Sequence, residues 1–184
     1  MPNAIIPRST VHDWSETIGK NPLDHQTALS RLLREQRRLS KFIEENQESM
    51  SPGTGGVALY LVGVVIRMYE LGGGRLRNVT WDDVRKASAK VEEAMDELLP
   101  ADAGFPERLR KISWRAQPHI LDEALMALYE RPSRENEVDL ANAEKVKVMF
   151  LLWVANEVLD ANWAPPKSFA GESSYTYVKI EPTE

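Results

Sequence analysis

Two segments that are apolar on every side limit most strongly what this chain can fold into. Residues 57–66 read VALYLVGVVI, and residues 148–155 read VMFLLWVA. Each run is shorter than the ~18 apolar residues that a membrane-spanning helix needs. A helix without a polar face is stable in water only when other helices surround it. The two segments therefore predict the central helices of a helical bundle.

A long first helix is predicted over residues 22–49. Asn21 is a suitable N-cap, Pro22 suits the first helical position, and the residue before Pro52 avoids helical backbone angles. The apolar residues along it follow a heptad pattern, with Gln36 and Asn46 filling two of the slots. This pattern predicts a seam that packs along other helices. The apolar positions are Leu29, Leu32, Leu39, Ile43 and Met50.

Four more helices are predicted after the first. The second spans about 55–71 and stops at three consecutive glycines. The third opens at Thr80-Trp81-Asp82-Asp83, a variant of the capping box, and closes at Pro100. The fourth spans 106–128 and contains Pro118, which predicts either a kink or two shorter helices end to end. The fifth covers about 138–161.

We therefore expect an all-α, single-domain bundle of about five helices, with a proline-kinked fourth helix and extended N- and C-terminal tails. The expected organisation is an extended N-terminal arm at 1–20, a helical bundle domain at 21–163 and a C-terminal tail at 164–184. Within the tail, residues 174–180 (SYTYVKI) alternate as a β-strand does. No family motif is recognised in the sequence.

The composition supports a globular protein and argues against several functional classes. Apolar residues make up 42% and charged residues 28% of the chain, as in ordinary globular domains. The net charge of −5 argues against a general nucleic-acid binder. The lack of cysteine excludes disulfides and thiolate metal sites. Since the N-terminus does not resemble a signal peptide, we expect a cytoplasmic protein without membrane contact.

Residues 53–58 satisfy the dinucleotide-binding fingerprint G-x-G-x-x-G/A through Gly53, Gly55 and Ala58. That fingerprint needs a buried strand before the glycines, and the preceding residues KFIEENQESM resemble the polar end of a helix. We therefore interpret this loop as the start of a buried helix. Thr54 is its expected N-cap, and the glycines are expected to supply positive φ angles to the turn.

A metal or cofactor is not expected. None of His12, His25 and His119 follows a glutamate at the three-residue spacing of the di-iron helical bundles. His119 and Glu123 lie one helical turn apart, which supplies only two ligands. No serine, histidine and acid have a spacing that indicates a catalytic triad, so no catalytic residue is assigned.

The hexapeptide around Pro118 is the densest group of functional side chains. A kink there would expose backbone and bring together an aromatic ring, a guanidinium and an imidazole, which suits a small acidic or aromatic ligand. The simpler interpretation is a kink that wraps the helix around the core. The candidate ligand-binding residues are Trp114, Arg115, His119 and Glu123.

The first helix carries a basic stripe that is the second candidate surface. Its members follow helical spacing and would meet phosphates or an acidic partner. Glutamates lie nearby, so a solvated face with internal ion pairs is the simpler interpretation. The stripe consists of Arg31, Arg34, Arg38 and Lys41.

These observations predict a non-catalytic protein-interaction or scaffold module that acts as a homo-oligomer, with a homodimer as the expected form. A protein partner would bind through the first helix or the tails, and nucleic acid is not an expected partner. The alternative is a small-molecule-binding protein or enzyme with its site at the helix kink between Trp114 and His119.

Overall fold

A computed structural model describes residues 2–181. It confirms the all-α class, but the expected count of five helices is wrong, because this range contains eight α-helices. In chain order they are α1 (Arg8–Lys20), α2 (Pro22–Glu35), α3 (Arg37–Gln47), α4 (Pro52–Leu71), α5 (Trp81–Leu98), α6 (Phe105–Arg110), α7 (Pro118–Leu125) and α8 (Asn142–Asn162).

The helices α4 and α8 lie at the centre of the bundle and pack on each other. Half of the residues of α4 and more than half of those of α8 are buried, which agrees with their central position. Within residues 2–181, α4 is the one helix whose length and composition would suit a membrane span. However, 56% of its apolar 18-residue window is buried in the bundle.

The long first helix is divided at Gln36, which corrects the prediction of one helix over 22–49. Gln36 leaves the helical conformation with φ −99° and ψ 59°. Its buried amide donates to the Arg77 carbonyl at 3.1 Å and accepts from the Val79 amide at 2.9 Å. The polar residue in the heptad thus holds the loop before α5 instead of continuing the helix.

The N-terminal arm is also helical from Arg8 to Lys20, so the prediction of an extended arm is wrong over those residues. Val11 and Ile18 are buried on one face, with Trp14 packed between them. Pro7 is not within this helix but caps its start. Pro7 therefore marks where the helix begins.

The predicted fourth helix consists of two separate helices, α6 and α7, joined by residues 111–117. Pro118 occupies the first position of α7, where its missing N–H costs no hydrogen bond. Gln117 before it has a left-handed backbone, with φ 37°. The proline therefore starts a helix instead of kinking one. A π-helical turn, Met126–Glu130, continues α7.

The start of α4 differs from the prediction in its cap and its backbone angles. Ser51, not Thr54, is the N-cap, and its hydroxyl accepts from the Thr54 amide at 3.3 Å. In the described part of the chain, positive φ angles among glycines occur only at Gly73 and Gly74, after α4. The glycines at 53, 55 and 56 are therefore ordinary residues of the first turns of α4.

The segment 174–180 does not form the predicted strand and lies extended along the bundle. The two short strands of the described residues are β1 (Arg75–Leu76) and β2 (Trp163–Ala164), which pair antiparallel. A single bridge joins Ile5 to Glu172, so the two terminal segments meet each other. The last residues of the predicted tail, 182–184, lie outside the described residues, as does residue 1.

Candidate functional site

Three of the four candidate residues near Pro118, namely Arg115, His119 and Glu123, belong to a buried group of polar side chains around α7. We call this group the α7 polar cluster. It receives side chains from α1, from the end of α6, from the link before α7, from α7 itself and from the C-terminal tail. Its members are Arg8, His12, Arg110, Arg115, His119, Asp122, Glu123, Glu172 and Tyr175.

Asp122 lies at the centre of the cluster with a side chain only 1% exposed. Its carboxylate lies 3.3 Å from Arg115 Nη1 and accepts a hydrogen bond from the Tyr175 hydroxyl at 2.8 Å. Burial alone raises the pKa of this carboxyl, but the neighbouring hydrogen bonds and the charges of two arginines outweigh burial and lower the pKa. Asp122 is therefore an ionised group that its partners neutralise.

Glu123 faces α1 from the next position of α7. It forms a buried ion pair with Arg8, and Nδ1 of His12 lies 3.2 Å from its Oε1. An unpaired charge in such a place would be costly, so the pair fixes α1 against α7. This explains why an arginine in the first turn of α1 is only 4% exposed.

His119 is buried between the tail and α7. Its Nε2 lies 3.2 Å from a Glu172 carboxylate oxygen, and its ring centre lies 5.2 Å from that of Tyr175. The tail therefore covers the imidazole that the sequence suggested as a ligand contact.

Trp114 has a packing role on the opposite side of the link. Its ring stacks on Trp153 of α8 with centroids 5.0 Å apart, and the ammonium of Lys90 lies 3.8 Å from the ring centre. Trp114 and His119 thus contact different neighbours. The chain's own side chains fill the predicted notch, and ligand binding by these four residues stays a prediction.

A second layer of polar groups joins the cluster to α8. Gln117 accepts a hydrogen bond from the Ile6 amide at 2.8 Å and donates to Asp160 at 2.9 Å. Glu157 accepts from the Ala116 amide at 2.8 Å. Burial raises the pKa of both Glu157 and Asp160. These bonds hold the link before α7 in place.

A metal centre would need several ligands that converge. Within residues 2–181, no group of three or more His, Asp or Glu side chains is arranged to hold a metal ion. The pairs between His12 and Glu123 and between His119 and Glu172 involve separate carboxylates.

The break at Gln36 divides the basic stripe between α2 and α3. Arg31 forms an ion pair with Glu70 and lies 3.5 Å from Glu35, while Lys41 lies 3.9 Å from Glu44. Internal carboxylates therefore compensate much of its charge. The other two members have no carboxylate partner among the described residues: Arg34 donates to a carbonyl of its own helix, and Arg38 lies over the Trp81 ring.

A surface groove of about 250 Å³ lies between α3, α5 and α8. We call it the α3/α5/α8 groove. Its floor is mostly apolar, and Leu99 at its edge is 50% exposed. The lining residues are Asn46, Ser49, Met50, Glu92, Met95, Asp96, Leu99, Val146, Lys147 and Phe150.

The charged groups of this groove are mainly acidic. Across residues 2–181, no basic side chain lies within ion-pair distance of Glu92 or Asp96. The one lysine of the groove, Lys147, is paired with Glu144 at 2.8 Å. The groove therefore presents two uncompensated carboxylates beside an apolar floor.

The sequence did not indicate this groove. One of its apolar residues, Met50, occupies a heptad position that predicted a seam against other helices. Periodicity identifies the face of a helix that packs inward but not where that packing ends. An apolar residue at the edge of the core can be distinguished from one in a groove only when the positions of the neighbouring helix ends are known.

Comparisons with known proteins assign no family to this chain. No family model, no curated protein and no solved structure matches it. The function must therefore be inferred from its own geometry and charge.

Proposed function

We propose that this protein is a non-catalytic protein-interaction module whose α3/α5/α8 groove binds a basic amphipathic segment of a partner protein. The observation that carries the proposal is the combination of an exposed apolar floor with carboxylates that lack an internal cation. An amphipathic helix or strand with lysines or arginines beside its apolar face complements both features.

The apolar floor supports binding because its side chains gain from leaving water. Met50 and Met95 are flexible and adapt to irregular partner surfaces. Leu99 and Phe150 add larger apolar side chains to the groove lining. Basic side chains of the partner would orient it in the groove and speed its association. Their effect on affinity would be smaller.

Homo-oligomerisation and a cytoplasmic location are further parts of the proposal. The absence of cysteine supports a reducing compartment. If a second copy occupies the groove, Leu99→Asp shifts a dimer toward the monomer in sedimentation velocity. If the dimer forms elsewhere, this variant retains the dimer.

The alternative function, a small-molecule site at Trp114–His119, has weaker support. His119 and Arg115 have partners within the chain, and Tyr175 of the tail lies over both. A ligand at this position would have to displace the tail.

A fluorescence-anisotropy titration with two labelled model peptides tests the proposal. One is an amphipathic peptide of leucine and lysine, and the other has glutamate at every lysine position. We expect the lysine peptide to bind at least about tenfold more tightly at physiological salt. Equal binding of both peptides, or none by the lysine peptide, would contradict the proposal.

Matched charge-reversal variants distinguish binding at the groove carboxylates from attraction to the overall negative charge of the protein. Glu92→Lys together with Asp96→Lys is expected to weaken binding of the lysine peptide about tenfold. Asp13→Lys together with Asp24→Lys makes the same change in net charge on α1 and α2, which do not line the groove. If this control weakens binding equally, the peptide binds the overall negative surface instead.

A further inference from the structure

A second concave site lies between α6, the π-helical turn and α8, apart from the α3/α5/α8 groove. We call it the α6/α8 cavity, and its volume is about 420 Å³, within the range of small-molecule sites. Its lining combines apolar residues with polar and charged ones. The lining residues are Ala103, Pro106, Glu107, Arg110, Tyr129, Glu130, Asn142 and Lys145.

Tyr129 lines this cavity and has a hydroxyl group without a hydrogen-bond partner among the described residues. Its hydroxyl oxygen is buried and has no hydrogen-bond partner within the described residues. Phe105 stacks against its ring, with centroids 6.1 Å apart, and holds the ring in place. Burial raises the pKa of Tyr129 to about 12, so the hydroxyl keeps its proton at neutral pH. Buried polar groups of folded proteins nearly always have partners, and a missing one requires an explanation.

Arg110 is a second group whose hydrogen-bond donors have only some of the partners they need. Its Nη2 lies 2.7 Å from Glu130 Oε1, but neither Nη2 nor Nε makes a hydrogen bond of good geometry in residues 2–181. Tyr177 covers the other side of the guanidinium, with the ring centre 4.3 Å from its carbon. The guanidinium is thus held in place between Glu130 and the Tyr177 ring.

Lys145 supplies the remaining positive charge. Its ammonium lies 5.0 Å from the centre of the Tyr129 ring. No carboxylate of the described chain lies within ion-pair distance of it, whereas the neighbouring Lys147 is paired with Glu144. The α8 helix also begins beside the cavity without a side-chain cap, which adds positive potential at that end.

The two glutamates of the lining do not cancel the positive charge of Lys145. The carboxylate of Glu107 is exposed and lies 3.5 Å from the ammonium of Lys111. Lys111 is not one of the lining residues. Glu130 is the partner of Arg110. The uncompensated charge of the cavity is therefore that of Lys145, beside the unpartnered phenol.

We propose that the α6/α8 cavity binds a small organic carboxylate with an apolar body. The carboxylate accepts hydrogen bonds from the Tyr129 hydroxyl and the Lys145 ammonium and gains an ion-pair interaction with Arg110. The apolar body packs on Ala103 and Pro106. This site is independent of the groove that carries the proposed function, so either proposal can fail alone.

Ligand-observed NMR with three probes of the same shape tests this inference. The probes are benzoate, benzylamine and benzyl alcohol, at constant ionic strength. We expect benzoate to bind with a Kd on the order of 1 mM and the other two to bind at least about fivefold more weakly. No saturable binding of benzoate, or equal binding of the amine or alcohol, would overturn the proposal.

Variants assign the binding to the cavity. Tyr129→Phe and Lys145→Gln are each expected to weaken benzoate binding at least about threefold. Lys41→Gln on α3, away from the cavity, makes the same charge change as Lys145→Gln and is expected to leave the Kd unchanged. Because the Tyr129 hydroxyl has no partner, Tyr129→Phe is expected to keep the wild-type melting temperature, which separates lost binding from lost folding. Benzoate binding that survives both cavity variants would overturn the assignment.

Discussion

Tyr175 donates a hydrogen bond to the buried carboxylate of Asp122 at 2.8 Å, although the two residues are 53 positions apart in the sequence. The guanidinium carbon of Arg115 lies 5.0 Å from the centre of the same tyrosine ring. One side chain therefore joins the C-terminal tail to the charged centre of the α7 polar cluster. The tail completes the hydrogen bonding of the bundle, although it contributes no strand and no helix there.

Tyr175→Phe removes this bond and retains the ring. We expect the free energy of unfolding to fall by about 1–2 kcal/mol, since a hydrogen bond to a charged, buried acceptor is lost. Urea denaturation followed by circular dichroism measures it. Tyr177→Phe is the control, because within residues 2–181 the Tyr177 hydroxyl has no hydrogen-bond partner and its ring stays over Arg110. Equal losses in both variants would contradict the role assigned to Tyr175.

Glu157→Gln tests the effect of burial on a carboxyl group. Burial raises the pKa of Glu157 even though it accepts hydrogen bonds from the Ala116 amide and the Trp153 indole. The folded state therefore binds this proton more tightly than the unfolded state does. The associated stability is complete below the unfolded pKa and is lost as the pH rises through the folded pKa.

Glutamine retains the acceptor oxygen and has no charge to bury. We therefore expect Glu157→Gln to gain stability relative to the wild type between pH 4 and pH 7. Urea denaturation at both pH values measures this difference. Glu107→Gln, an exposed glutamate on α6, is expected to show no comparable change. A variant that loses stability relative to the wild type toward pH 7 would show that the ionised form is preferred at this site.

The parts of the fold that depend on local signals were predictable from the sequence. Thr80 and Asp83 form the reciprocal capping box that opens α5. The two apolar segments lie in α4 and α8, because only surrounding helices can cover them. The Val11 and Ile18 face of α1 follows the helical period as well, but two apolar positions in a short segment with Pro2 and Pro7 are too few to predict a helix.

The candidate site was predictable only in part, because its contacts are long-range. The sequence brought His119 and Glu123 together as neighbours on one helix, and both lie in the α7 polar cluster. It did not indicate that Arg8 and Tyr175 would cover them, since a buried ion pair and a docked tail depend on how distant segments meet. The alternation of residues 174–180 resembled a strand, but the tyrosines bind side chains instead of a sheet edge.

Gln36 illustrates how a polar residue in a heptad changes the fold. Gln36→Leu would complete the apolar seam but leave the buried amide of Val79 without its acceptor. We expect the free energy of unfolding to fall by about 1–3 kcal/mol. Asn46→Leu fills the other polar slot, where the side chain bonds only to a carbonyl of its own helix, and is expected to change stability by less than about 0.5 kcal/mol. Stabilisation by Gln36→Leu would mean that a continuous first helix is the better structure.

Two glycines of α4, Gly63 and Gly56, allow the effect of close packing to be measured separately from the effect of helix propensity. A Cβ atom at Gly63 would lie 3.0 Å from the His25 ring and from the Leu29 side chain, whereas one at Gly56 would meet nothing within 4 Å. Gly63→Ala is therefore expected to destabilise the fold by about 1–3 kcal/mol, because α2 must move away from α4. Gly56→Ala removes the entropic cost of glycine in a helix and is expected to stabilise it by about 0.5–1 kcal/mol. Thermal unfolding of both variants measures the two effects. If α2 packs against α4 through Gly63, the two substitutions change stability in opposite directions. Stabilisation by both alanines would show that the two helices are farther apart.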